Sequence, residues 1–146
     1  MVRKTRKTRQ YRRKGQSLIS ADKINPQQWN ISAREAKEAL KAQGYQVKQI
    51  KKIRCLRHQV CLSYWDEKGN ICSSFFSYRI FTRWQKEVEK LVNLCPSLKE
   101  LVQLNGILQY EFDYYSYPRE MEDALASSIE NRLSELKATA RQTVLL

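Results

Sequence analysis

The sequence predicts an α+β fold, in which a helix, a three-stranded antiparallel sheet and a second helix follow one another over residues 32–95. Three observations predict this order: a helix-capping pattern at Ser32, two runs of alternating residues around a tight turn, and a helical stripe that stops before Pro96. With both helices on one side of the sheet, the apolar sides of all five elements are buried in two layers. We expect the other sheet face to be exposed.

The first helix is predicted to begin after Ser32, because a serine followed three residues later by Glu35 is the capping-box pattern. Ala36, Ala39 and Leu40 recur at helical spacing, with charged residues between them. Gly44 ends the helix. These residues predict a short amphipathic helix.

The first strand is predicted within residues 45–56. Its apolar residues are Val47, Ile50, Ile53 and Leu56, and their spacing of three also suits a helix. The content of β-branched residues and the flanking glycine favour a strand.

A β-hairpin and a helix are predicted next. Residues 60–65 and 71–78 alternate in the manner of strands, and the residues between them, 66–70, have the composition of a turn. The helix that follows carries its apolar stripe from Trp84 to Cys95 and ends at Pro96.

The last third of the chain predicts three further elements. A short helix ends near Gly106, and residues 107–117 are strand-like because they are strongly aromatic. After Pro118, spacings of four and three predict one long amphipathic helix over residues 119–140, with the apolar stripe Met121, Leu125, Ile129, Leu133, Leu136 and Ala140. Its other face is acidic, so we expect this helix to pack on the core, to bind a partner protein or to self-associate.

Charge divides the chain into a basic arm, residues 1–22, and a single α+β domain, residues 23–146, in which 32–95 is the core and 96–146 an acidic extension. The net charge is +12 and the pI about 9.7, which suggests a polyanionic partner. The arm buries almost no apolar surface, so we expect it to be disordered alone and to order on a phosphate backbone. Its bases are Arg3, Lys4, Arg6, Lys7, Arg9, Arg12, Arg13 and Lys14.

A transit peptide is the competing interpretation of the arm, but such peptides form amphipathic helices, whereas here bases would occupy nearly every helix face. A nuclear-localisation signal is a further possibility in a eukaryote. No apolar run reaches the ~18 to 20 residues of a membrane span, and no secretory pattern follows the basic segment. We therefore expect a soluble cytoplasmic protein, associated with a nucleoid or ribonucleoprotein and not with a membrane.

Nucleic-acid binding is predicted to use the arm, the basic first strand and the start of the helix after the hairpin. The aromatic residues Trp65, Phe76 and Tyr78 lie near these cations in the sequence and could stack on unpaired bases. The alternative is that these cations form an ordinary solvated surface and that the aromatic residues belong to the hydrophobic core. Beyond the arm, the predicted contacts are Lys48, Lys51, Lys52, Arg54, Arg57, Arg79, Arg83 and Lys86.

The helix, three strands and helix, over residues 33–94, resemble the topology of double-stranded-RNA-binding domains. Where that family opens its last helix with a lysine pair, this chain has the segment from Arg79 to Arg83. A sheet followed by a helix is also similar to the DNA-binding modules of some integrases, which imply a sheet placed in the major groove. The choice between RNA and DNA stays open at this point.

The catalytic alternative rests on His58, the only histidine. Small interferase toxins of the HicA type are similar in their leading helix and in a step like Gly44-Tyr45, and they imply a histidine acting as general acid or base on RNA. No phosphate loop or nucleophile elbow is present, so we expect a protein that is not an enzyme and needs no cofactor.

The four cysteines fit reduced thiols better than a disulfide framework in an intracellular chain. Cys55, His58 and Cys61 are close enough in sequence to suggest zinc, but the chain has no Cys-x-x-Cys pair, and strand cysteines are more often small buried hydrophobes. We expect no metal.

The leading hypothesis is therefore a small accessory nucleic-acid-binding protein that contacts phosphates within a larger nucleoprotein assembly. A HicA-like ribonuclease and a protein-interaction adaptor that works through its C-terminal helix are the alternatives.

Overall fold

The computed structural model of the chain describes residue 19 and residues 23–145. The predicted α+β class is confirmed, since these residues contain α-helices and one three-stranded antiparallel sheet. The helices are α1 (Ala33–Ala42), α2 (Thr82–Asn93), α3 (Leu98–Tyr114) and α4 (Arg119–Leu145), and the strands are β1 (Gln49–Cys55), β2 (Val60–Trp65) and β3 (Ile71–Phe76).

The fold divides into two compact units. The sheet unit runs from Ala21 to Gln85, and the helical unit runs from Lys86 to Leu146 and also includes Ile19. Apart from Ile19, the predicted arm, residues 1–22, lies outside the described residues. That residues 23–146 form a single domain stays a prediction.

Helix α1 forms as the capping pattern predicts. The Ser32 hydroxyl accepts a hydrogen bond from the Glu35 backbone N–H at 3.1 Å, which satisfies one of the free donors of the first turn. Gly44 follows the helix with a φ of 96°, a conformation that glycine adopts without a Cβ clash. Ala36 and Leu40 are fully buried, and the helix packs against β1.

The sheet has the order β1-β2-β3 and is antiparallel throughout. In β1, Ile50 lies opposite Tyr64 and Lys52 opposite Ser63, so Lys51 is the extra residue of a β-bulge. The bulge returns Ile53, opposite Leu62, to the same face as Ile50. An apolar spacing of three is therefore compatible with a strand here, because one residue of the three is not paired.

One sheet face belongs to the core of the sheet unit. Val60 and Leu62 are completely buried and Tyr64 nearly so, whereas the residues that alternate with them in β2 are half-buried. Phe76 of β3 lies opposite Val60, on this inner face, and its ring meets that of Tyr45 edge-on at 5.4 Å.

Aromatic rings form a second part of this core. Trp29 meets the rings of Tyr78, Phe81 and Trp84 at centroid distances of 5.4, 6.4 and 6.5 Å, each edge-on. The last three are almost fully buried, and the Tyr78 hydroxyl donates a hydrogen bond of 2.5 Å to the Leu56 carbonyl oxygen. The cluster fixes the segment that leads from β3 into α2.

In the helical unit the sequence-based prediction for residues 107–117 was wrong, because these residues continue α3 to Tyr114 and contain no strand. Leu101, Leu104, Leu108 and Glu111 are buried at spacings of three and four, and α3 packs against α4. Burial of this stripe prevails over the β-propensity of the aromatic residues. Gly106 is exposed within the helix and does not end it.

Helix α4 confirms the predicted long amphipathic helix. Met121, Leu125 and Ile129 are buried, but Leu133 and Leu136 are only half-buried and Ala140 is exposed. No helix in the described part of the chain is both long and apolar enough to cross a bilayer.

Candidate nucleic-acid interface

The sheet face opposite the core of the sheet unit is exposed and carries most of the cations of the sheet. Strand alternation assigns Gln49, Lys52 and Arg54 of β1, Cys61, Ser63 and Trp65 of β2, and Ile71, Ser73 and Phe75 of β3 to this face, which we call the open sheet face. Ile71 and Phe75 are each 57% exposed. These two side chains make the open sheet face a candidate contact surface.

The β-bulge adds Lys51 to this face. Lys51 extends its ammonium group over the Trp65 ring, 5.9 Å from the centroid, so its side chain lies on the same side as Lys52. Without the bulge, two consecutive residues would point to opposite faces. The open sheet face therefore has three cations in β1: Lys51, Lys52 and Arg54.

Three cross-strand rows define the geometry of the face. The first is Gln49–Trp65–Ile71, the second Lys52–Ser63–Ser73, and the third Arg54–Cys61–Phe75. In the second row the hydroxyls of Ser63 and Ser73 are hydrogen-bonded to each other. The face thus changes from basic at β1, through a polar centre, to apolar at β3.

The charge of the face is not balanced locally. None of its residues is acidic, and among the described residues no carboxylate forms an ion pair with Lys51, Lys52 or Arg54. Residues 23–85 contain twelve Lys and Arg residues against four Asp and Glu residues. These residues therefore carry a net charge of +8.

Two other predicted contacts lie near β1. Lys48 is exposed just before the strand, where its backbone N–H donates to the Trp65 carbonyl at 2.8 Å. Arg57 is exposed in the turn between β1 and β2. The remaining predicted contact, Lys86, does not belong to the sheet unit: it is exposed on α2, in the helical unit.

Arg79 and Arg83 occupy different surroundings from those of a phosphate contact. Arg79 is only 6% exposed, and its guanidinium lies 4.2 Å from the Trp84 ring centroid. Arg83 binds both carboxylate oxygens of Glu35 and lies 5.4 Å from the Trp29 ring. Both arginines therefore stabilise the aromatic core, and the structure does not bring them to the open sheet face.

The aromatic residues of the face differ from those expected. Trp65 lies on it, but Phe76 faces the core and Tyr78 is completely buried. Phe75 and the aliphatic Ile71 lie on this face but were not predicted as contacts from the sequence. The sequence does contain the signal, because Trp65 and Ile71 flank the turn symmetrically, and counting by two from Ile71 leads to Phe75.

His58 lies exposed in the β1–β2 turn, outside the strands. Cys55 and Cys61, which bracket it in sequence, are half-buried, and the Cys55 thiol lies 3.9 Å from the Trp29 carbonyl oxygen. Across the described residues, no three His, Cys, Asp or Glu side chains are grouped so as to hold a metal ion.

The basic residues of the arm, Arg3 to Lys14, lie outside the described residues. The residues that the structure does bring together are thus Lys51, Lys52 and Arg54 with Trp65, Ile71 and Phe75.

Comparison with known proteins identifies no relative, since no family model, curated protein or solved structure matches this chain.

Proposed function

We propose that this chain is a small, non-enzymatic nucleic-acid-binding protein that contacts phosphates through its open sheet face and its N-terminal arm. The observation that carries the proposal is the bulge at Lys51, which gathers Lys51, Lys52 and Arg54 on one exposed face free of acidic residues. Lysine and arginine contacts to phosphate release condensed counterions, which is the main source of affinity for nucleic acid without sequence preference.

The arm and the face have complementary roles in this proposal. Residues 1–14 contain eight Lys and Arg residues and no acidic residue, so they supply long-range attraction and phosphate contacts. The sheet holds its cations at fixed positions, so it determines where the sugar-phosphate backbone of the nucleic acid lies. Such a protein would act in the cytoplasm as an accessory subunit of a nucleoid or ribonucleoprotein assembly.

The helical unit is the less suitable surface for phosphates, because residues 86–146 contain ten Asp and Glu residues against seven Lys and Arg residues. Association with a protein partner or a second copy through α4 is part of the proposal. It is supported by the apolar stripe that continues past the buried Ile129 to the half-buried Leu133 and Leu136. The association is tested by comparing the molar mass in solution of the wild type with that of the double variant Leu133→Gln/Leu136→Gln.

Binding of a labelled oligonucleotide at several salt concentrations tests the main proposal. The double variant Lys52→Gln/Arg54→Gln should bind more weakly, with a salt slope smaller by about 0.7 to 0.9 for each phosphate that is no longer neutralised. The matched control is Lys23→Gln/Lys41→Gln, which removes the same charge from exposed positions of the sheet unit outside the sheet. Equal losses of affinity in both variants, or no binding by the wild type, would contradict the proposal.

A further inference from the structure

The open sheet face carries apolar and aromatic groups that a phosphate contact does not need. Phe75 and Ile71 are the most exposed of them, and Trp65 is half-buried beneath the ammonium group of Lys51. The exposed parts of these side chains are apolar, so a ligand that covers them gains hydrophobic burial. The ligand therefore has flat apolar surfaces as well as negative charge.

From this arrangement we infer that the ligand of the open sheet face is a single strand of nucleic acid, with its phosphates along β1 and its bases stacked on Trp65 and Phe75, and that Lys51 exchanges its contact with the Trp65 ring for a phosphate when the strand binds. The inference rests on the proposed function and specifies its ligand class. A single strand has phosphates at one edge and base faces at the other, which matches the change from Lys52 and Arg54 at β1 to Ile71 and Phe75 at β3.

A duplex matches the face less well. Its bases are stacked on each other, so their flat surfaces cannot cover Phe75, and its outer surface presents phosphates. Two of the three cations predicted to contact a duplex from the start of α2 are engaged elsewhere, since Arg79 lies on Trp84 and Arg83 binds Glu35.

The spacing of the two rings bounds the ligand length. Phe75 lies opposite Cys61, four residues along β2 from Trp65, so the two side chains are separated by roughly 14 Å along and across the strands. Bases stacked on one another rise about 3.4 Å each, so a fully stacked strand would need about five nucleotides to cover this distance. A strand whose bases lie on the two rings is more extended and needs no more than that, so an octamer is long enough to reach both rings.

Equilibrium binding of a mixed-sequence octamer, single-stranded and as a duplex, and in both RNA and DNA form, tests the inference on the full chain. We expect Trp65→Leu and Phe75→Leu each to weaken binding of the single strand about tenfold, the usual effect of removing one stacked base. Duplex binding should change less than twofold. Tyr45→Leu is the matched control, because Tyr45 is also an exposed aromatic residue (44%) but contacts Phe76 of the inner face.

Two further measurements separate stacking from loss of structure. Trp65→Tyr keeps a ring that can stack and should recover most of the affinity, and the thermal unfolding midpoint of each variant reports whether the fold is intact. Tryptophan fluorescence should be quenched by the octamer in the wild type and much less in Trp65→Tyr, since Trp84 is buried and Trp29 lies in the aromatic cluster.

The outcomes distinguish this inference from the proposed function. If the wild type prefers the duplex, or if folded Trp65→Leu and Phe75→Leu bind the single strand as well as the wild type does, the stacking inference is wrong. The proposed function survives that result as long as Lys52→Gln/Arg54→Gln still weakens binding. Comparison of the affinities for the RNA octamer and the DNA octamer shows whether the 2′-hydroxyl of the ribose contributes to binding.

Discussion

Arg83 and Glu35 form a two-point ion pair that joins the first turn of α2 to the first turn of α1. The Arg83 Nε donates to one carboxylate oxygen at 3.0 Å and a terminal nitrogen donates to the other at 2.7 Å, while the guanidinium lies over Trp29. Both side chains are partly buried, which reduces screening by solvent. The carboxylate of the predicted capping box thus serves a tertiary contact.

This pair predicts that Arg83→Lys destabilises the fold, because lysine cannot reproduce two parallel hydrogen bonds and ring stacking. We expect a decrease of about 1 to 2 kcal/mol in the free energy of unfolding, measured by urea denaturation. Nucleic-acid affinity should stay within twofold of the wild type, since the charge of Arg83 is already neutralised by Glu35. A stable variant with much weaker binding would show instead that Arg83 contacts the ligand.

Deleting residues 1–14 should weaken nucleic-acid binding and lower its salt dependence. The deletion removes eight cations that can each neutralise a phosphate, and the salt slope scales with the number of phosphates neutralised. The measurement is the affinity of the truncated and full-length chains at three or more salt concentrations. A weaker affinity with an unchanged slope would mean that the arm does not contact phosphates.

We expect the folded protein to lose stability in alkali because of the buried Tyr78 hydroxyl. Burial, with the neighbouring Cys55 thiol, raises the pKa of the Tyr78 hydroxyl above its ordinary value of about 10. Below pH 10 both the folded and unfolded chains keep this proton, so the stabilisation is fully present. As the pH rises past 10 the unfolded chain ionises first, and the free energy of unfolding falls by up to about 1.4 kcal/mol per pH unit.

Comparison with Tyr78→Phe isolates this effect from the other groups that titrate in alkali. The variant lacks the hydrogen bond to the Leu56 carbonyl oxygen, which costs about 1 kcal/mol at neutral pH. Between pH 10 and 11 its stability should fall less steeply than that of the wild type. Parallel curves would contradict the prediction.

Glu111 is completely buried in the helical unit, where it accepts hydrogen bonds from the Ile19 backbone N–H at 2.9 Å and from the Tyr117 hydroxyl. Glu111→Ala should lower the free energy of unfolding by about 2 to 4 kcal/mol, because it opens a cavity and removes the acceptor of both donors. Glu111→Gln keeps the shape and one acceptor oxygen, so we expect a smaller decrease. The same urea series measures both, and an unchanged midpoint in Glu111→Ala would refute a structural role.

By itself the sequence determined the elements whose signals are local. Ser32 and Glu35 indicated the start of α1, the turn at 66–70 indicated the hairpin, and the stripe from Met121 to Ile129 indicated α4. Capping, turn formation and helical periodicity depend on residues a few positions apart, so they can be read along the chain. The separation of a basic arm from an acidic C-terminal segment is likewise a property of composition.

Only the tertiary structure decided which side chains share a surface. The bulge at Lys51 depends on pairing with β2, and it places Lys51 and Lys52 on the same face of the sheet as Trp65. Packing against α4 makes residues 107–114 helical, the contact with Trp84 holds Arg79 in the core, and the ion pair with Glu35 holds the partly buried Arg83 at its edge. These results depend on residues far apart in the chain, because register, burial and ion pairing are decided by the free energy of contacts that form only when the whole unit folds.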